Sequence, residues 1–275
     1  MTEVVAPIKN VTLEPRDYAD LSYAKSLLEN PGFAVRVASL LGAPIEKGFK
    51  LLPGNWSKTV HGAVHRALRA ALRVALTSLR SKPRAGRASI GFHRVVTGLS
   101  GGIGGAFGFA ALPVELPFST TVMLRSIADI ARHEGHDLRD PETRLACLEV
   151  FALGGRSHSD DAAENAYWAM RVVLSQAVSE AAAHVTQRGM LQETAPALVR
   201  LISLIGARFG VVVSEQIAAK AVPVIGAAAG SAINVLFTSH FQAMARGHFI
   251  VRRLEKTYGP NIVREVYAQI ALPPG

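Results

Sequence analysis

Apolar and polar residues repeat with a helical period along most of the chain. Between Val64 and Leu79 the residues Val64, Leu68, Ala71, Leu72, Ala75 and Leu79 share one side of a 3.6-residue repeat, and Arg66, Arg69, Arg73 and Arg80 occupy the other. This spacing predicts a basic amphipathic helix. Start and stop signals predict further helices: Tyr18 to Glu29, ended by Pro31-Gly32; Pro141 to Leu153, opened by Asp140 and ended by Gly154-Gly155; and a long helix to Arg188, capped by Ser159-Asp160-Asp161 with Glu164. Thr194-Ala195-Pro196 opens another, and a last long helix runs from Val224 to about Thr257, before Gly259-Pro260. Period-2 alternation is scarce, so the expected fold is an all-α, multi-helix bundle of eight to ten helices.

The middle of the chain departs from this pattern. Val95 to Val114 is a 20-residue stretch without charge, rich in glycine, and followed by Glu115-Leu116-Pro117. Its length suits a bilayer span, but its glycines lower helix propensity and Pro113 and Pro117 are expected to break a continuous helix. A Gly-rich apolar helical hairpin, re-entrant or buried, fits better. Gly98 pairs with Gly102, Gly101 with Gly105 and Gly104 with Gly108 at four-residue spacing, which places small residues on one helix face for close packing. The spacing returns at Gly206/Gly210 and Gly226/Gly230, the second pair inside another uncharged run, Ala221 to Ser239, that also contains Asn234.

Charge sharpens the picture. The 275 residues carry 30 Lys and Arg against 21 Asp and Glu, yet Lys47 to Val114 contains 11 basic side chains and no acid. The net positive charge is therefore local. Beyond Arg66, Arg69, Arg73 and Arg80 it includes Lys82, Arg84 and Arg87. An anionic membrane surface or an acidic protein would answer such a face. Nucleic acid is not expected, because the helix offers Ala and Leu where base readers carry amides or stacking aromatics. The first residues, Met1-Thr2-Glu3, lack a cationic leader and no long apolar stretch follows them, so a start in the cytoplasm is expected. The lone Cys147 sits in Arg144-Leu145-Ala146-Cys147-Leu148 and reads as a core residue.

Candidate chemistry is sparse. Gly98-Leu99-Ser100-Gly101-Gly102 matches a nucleophile elbow and makes Ser100 the candidate of a serine-hydrolase alternative, but the strand and helix alternation of that fold is missing. Gly102, Gly104 and Gly108 resemble a dinucleotide loop without its flanking strand. His133 and His136, with His158 and Asp160, could supply metal ligands, yet each cluster lies at a helix end where capping accounts for it. No cofactor is expected. Glu115 is isolated among apolar and basic residues, and reads either as a helix cap or as a buried carboxylate paired with Arg125 or an arginine of the basic helix.

Several blocks together resemble the EcsC family of bacterial helical proteins: Gly98 to Gly108, Glu115-Leu116-Pro117, Arg125 to Ala131, Gly135 to Arg144, Ala221 to Ala227 with Asn234, Ala245, and Phe249 to Leu254. The likeness extends over roughly Tyr18 to Gly259, with Glu115 and His136 standing where Asp and an aromatic are usual. It implies a peripheral or embedded membrane protein, in a family named for a gene beside an ABC transporter linked to secretion, and carries no agreed catalytic residue.

The expected organisation is an extension over 1–16 and one helical domain over 17–275, with the basic segment 47–94 inside it. The expected function is non-catalytic: membrane association at the cytoplasmic side of the inner membrane, by binding anionic lipid or a transporter or secretion component. A soluble helical interaction module is the alternative, and homo-oligomerisation is left open.

Overall fold

The computed structural model describes residues 13–29, 33–41, 45–79, 112–155, 166–188, 195–221 and 226–271. Among them are ten helices and no strand. The helices are α1 Pro15–Leu28, α2 Phe33–Leu41, α3 Glu46–Phe49, α4 Trp56–Thr77, α5 Leu112–His133, α6 Pro141–Leu153, α7 Ala166–Arg188, α8 Pro196–Ala221, α9 Gly226–Tyr258 and α10 Pro260–Gln269. The all-α expectation holds. The expected cap at Ser159-Asp160-Asp161 lies outside the described residues.

Local chemistry sets several boundaries. The Asp140 carboxylate accepts from the amides of Glu142 and Thr143, each at 3.1 Å, and Pro141 occupies the first position of α6, where no amide is needed. At the end of α5, Gly135 adopts φ 81, the His136 amide reaches back to the carbonyl of Ala131 and the Gly135 amide to that of Arg132. This is a Schellman termination, and its left-handed residue favours glycine.

One expectation about breaks is corrected. Pro113 and Pro117 do not interrupt α5, which runs from Leu112 through both. Pro113 lies in the first turn, where its missing amide has no partner to lose, and buried Leu112, Leu116 and Thr120 hold the following turn against the core. Within the uncharged run Ala221 to Ser239, α8 ends at Ala221 and α9 starts at Gly226, close to the expected start at Val224.

The core is built around α8, which packs against α2, α3, α4, α6, α7 and α9. Among the described residues α8 alone has the length and apolarity of a membrane span; its neighbours bury 44% of that apolar window. Phe209 of α8 meets Phe151 of α6 at 4.9 Å and Phe241 of α9 at 5.5 Å between ring centroids, in tilted and edge arrangements. The α9 helix runs in the same direction as α5: Gln242 donates to Ser126 Oγ at 2.8 Å, and His136, just past α5, donates to the Phe249 carbonyl at 3.0 Å. At the other side of α9, α1 approaches so closely that a Cβ on Gly247 would come within 2.7 Å of Leu28 Cγ and 3.0 Å of the Ala24 carbonyl oxygen.

Charged residues lock this periphery. Arg253 of α9 reaches Asp20 at 2.6 Å and Asp17 at 3.4 Å, and Tyr258 donates to Asp17 at 2.6 Å. Lys25 of α1 donates to the carbonyls of Tyr267 and Ile270, at 3.0 and 2.7 Å, and so satisfies the end of α10.

Candidate functional site

The α4 helix divides its residues between core and solvent. Val60, Ala63, Val64, Ala67, Leu68, Ala71, Leu72, Ala75 and Leu76 are buried, whereas Lys58, His61, Arg66, Arg69 and Arg73 are exposed. No acid lies on the helix. Three of the seven basic residues singled out from sequence, Arg66, Arg69 and Arg73, thus share an outward face; Arg80, Lys82, Arg84 and Arg87 lie outside the described residues. Next to it, Arg125 of α5 donates to Ser78 Oγ at 3.2 Å and extends the cationic surface past the end of α4.

The inward side of α4 packs against α5, α6 and α8. Arg144 of α6, fully buried, donates to the carbonyl of Leu76 at 2.9 Å. A cation there answers both the unsatisfied carbonyl and the negative end of the helix dipole. The apolar side of α4 is therefore committed to the fold, and the helix presents charge alone.

His61 and His65, one turn apart, bring their rings to 4.4 Å. Burial lowers the pKa of His65, assisted by His61 and by Arg69. The ring lies over Gly206 of α8, whose added Cβ would stand 3.5 Å from Leu68 and 3.7 Å from His65, an ordinary contact. Added at Gly210 or Gly230, a Cβ would meet nothing within 4 Å. Gly226 is the first residue of α9, and Gly98, Gly101, Gly102, Gly104, Gly105 and Gly108 lie outside the described residues.

At the start of α5, Glu115 pairs with Lys220 of α8 at 3.3 Å. This corrects the expectation of Arg125 or an α4 arginine. Arg125 is nearly three turns further along α5 and engages Ser78, while the end of α8 sits beside Glu115. Burial lowers the Lys220 pKa and the Glu115 charge opposes that shift. Asn234, buried, accepts from Gln216 at 2.8 Å. Glu115, Gln216 and Asn234 line one small pocket with Ser119 and Thr238, with room for about one water molecule.

A second polar cluster joins α6, α7 and α9 in the interior. The Tyr167 hydroxyl and His248 Nδ1 lie 3.1 Å apart, and His248 Nε2 is 3.7 Å from Glu149 Oε2. Neither Glu149 nor His248 has any solvent exposure. Among the described residues neither oxygen of Glu149 has a hydrogen-bond partner, and 3.7 Å is too long for one. Burial pushes the Glu149 carboxyl up to about 7 and holds His248 well below its usual value, so the imidazole is neutral near pH 7 while the carboxyl is poised between its two forms. Arg171 pairs with Glu255 alongside, and Arg252 with Glu142 at 3.0 Å. A phenol, an imidazole and a carboxyl in line can store a proton, here in a cluster without solvent exposure at Glu149 and His248. Sequence reading missed this cluster; its one local trace is that α6 carries Arg144 and Glu149 in a stretch buried from Thr143 to Ala152.

The remaining candidates separate. The His136 ring gives one nitrogen to the Phe249 carbonyl and has Lys256 at 3.4 Å from the other; burial pushes its pKa down to about 4. It also packs against the Phe249 ring, with 5.0 Å between centroids. His133 is exposed at the end of α5, and His158 and Asp160 lie outside the described residues, as does Ser100. Among the described residues no three His, Cys, Asp or Glu side chains are grouped to hold a metal. Cys147 is buried, donates to the Thr143 carbonyl, and has its thiol pushed up to about 12 by burial.

Residues 25–254 match the EcsC protein family. The chain belongs to that family, as its glycine-rich, Glu115 and Arg125 to Arg144 blocks suggest. No curated protein and no solved structure matches it.

Proposed function

We propose that this EcsC-family protein is a non-catalytic peripheral membrane protein, held on the anionic cytoplasmic face of the inner membrane by the outward side of α4. One observation carries the reading: Lys58, Arg66, Arg69 and Arg73 are exposed on a helix without acids whose opposite side is wholly in the core. Each such cation near an anionic surface contributes about 1 kcal/mol, so four contribute about 4 kcal/mol, a millimolar-class attraction that salt weakens. Binding of this kind is reversible. Arg66→Glu with Arg69→Glu is expected to abolish sedimentation with phosphatidylglycerol vesicles at low salt; retained sedimentation contradicts the reading.

A second reading, docking on a transporter or secretion component, draws on the outward side of α8. Ser203, Ala207 and Val211 are exposed there, and Gly210 has open space before it, so another helix can approach closely. Gly210→Leu separates the two readings, since it blocks that approach and leaves the α4 charges intact. Covalent labelling of Ser100 by a fluorophosphonate would contradict both and support a hydrolase.

A further inference from the structure

The α4 face supplies charge but nothing apolar to a membrane. On the adjoining helix, Val114 is 79% exposed and Phe118 53% exposed. They are four residues apart on α5, and Arg125 follows seven residues after Phe118, so the three share one side of the helix. Arg125 is also the residue that bonds to Ser78 at the end of α4. The apolar pair is thus continuous with the cationic surface.

Acids do not interrupt this side of α5. Glu115 turns to Lys220 at 3.3 Å and Asp129 to Arg132 at 2.6 Å.

We infer that the first turns of α5, through Val114 and Phe118, enter the acyl region of an anionic membrane while the α4 arginines hold its headgroups. The inference rests on the lipid-binding reading of α4 and adds the part that charge cannot supply, since attachment strength grows with apolar area buried at the interface. Two other exposed valines are placed differently: Val172 and Val173 lie on α7, which shares no extended packing with α4.

The test uses the full chain with one introduced cysteine carrying an environment-sensitive fluorophore, at Val114→Cys or, as a control, Val172→Cys. Both sites are exposed, and Cys147 is buried with its thiol held protonated, so it does not compete for label. With phosphatidylglycerol vesicles the probe at 114 is expected to shift to the blue and brighten severalfold, with no change at 172. Phe118→Ser is expected to remove the part of binding that survives high salt and to leave low-salt binding in place. Sedimentation with vesicles while the probe at 114 stays unchanged overturns the inference and leaves the α4 reading standing. Equal shifts at both sites also overturn it, and absence of binding removes both.

Discussion

Arg144 donates to the carbonyl of Leu76 across 2.9 Å, so a guanidinium with no solvent exposure closes the last turn of the helix that carries the exposed arginines. The surface cations of α4 and the buried cation of α6 act on the same helix from opposite sides. One is available to a partner because the other fixes the orientation.

Removing that buried contact has a definite cost. Arg144→Leu leaves the end of α4 without its donor and is expected to lower stability by about 2 to 4 kcal/mol, read as a lower denaturant midpoint with an unchanged slope. An unchanged midpoint would mean that the contact is incidental.

Glu149 makes stability depend on pH in a particular direction. Its carboxyl titrates near 4.5 when unfolded and near 7 in the fold, so the folded state binds the proton more tightly. Stability therefore falls as pH rises between those values, by an amount on the order of 3 kcal/mol, and levels off above them. His248 acts oppositely: its depressed folded pKa costs stability as pH falls below 6.5. Glu149→Gln removes the first dependence and keeps the second. The stability difference between variant and parent is expected to grow in favour of the variant from pH 5 to 7, and a constant difference would contradict a carboxyl whose pKa is raised by burial.

Two glycines in α8 and α9 are expected to respond in opposite ways to the same change. Gly247→Ala drives a Cβ into Leu28 and the Ala24 carbonyl and should destabilise by about 1 to 3 kcal/mol, because α1 must move away. Gly210→Ala meets open space inside a helix and should stabilise by up to about 1 kcal/mol. Thermal unfolding of the two variants reads both signs.

What the sequence reveals here follows the range of each signal. Asp140-Pro141, Gly259-Pro260 and the arginine spacing of α4 act within one or two turns, and the helices they define stand where expected. Pro113 and Pro117 mislead because their effect depends on how near the helix start they fall. The partner of Glu115 is neither Arg125 nor an α4 arginine but Lys220, 105 residues along the chain at the end of another helix. Glu149, Tyr167 and His248 meet only where α6, α7 and α9 come together, so spacing along the chain carries no trace of their contact. The glycine rule was half informative: Gly206 faces α4, Gly210 faces open space, and the close approach at Gly247 belongs to no four-residue pair.

The most direct measurement is flotation of the intact protein with neutral and with anionic vesicles across a series of salt concentrations. Flotation confined to anionic vesicles, falling steeply with salt and leaving a small resistant fraction, is the expected result. Equal flotation with neutral vesicles, or none with either kind, contradicts a membrane role for the α4 face.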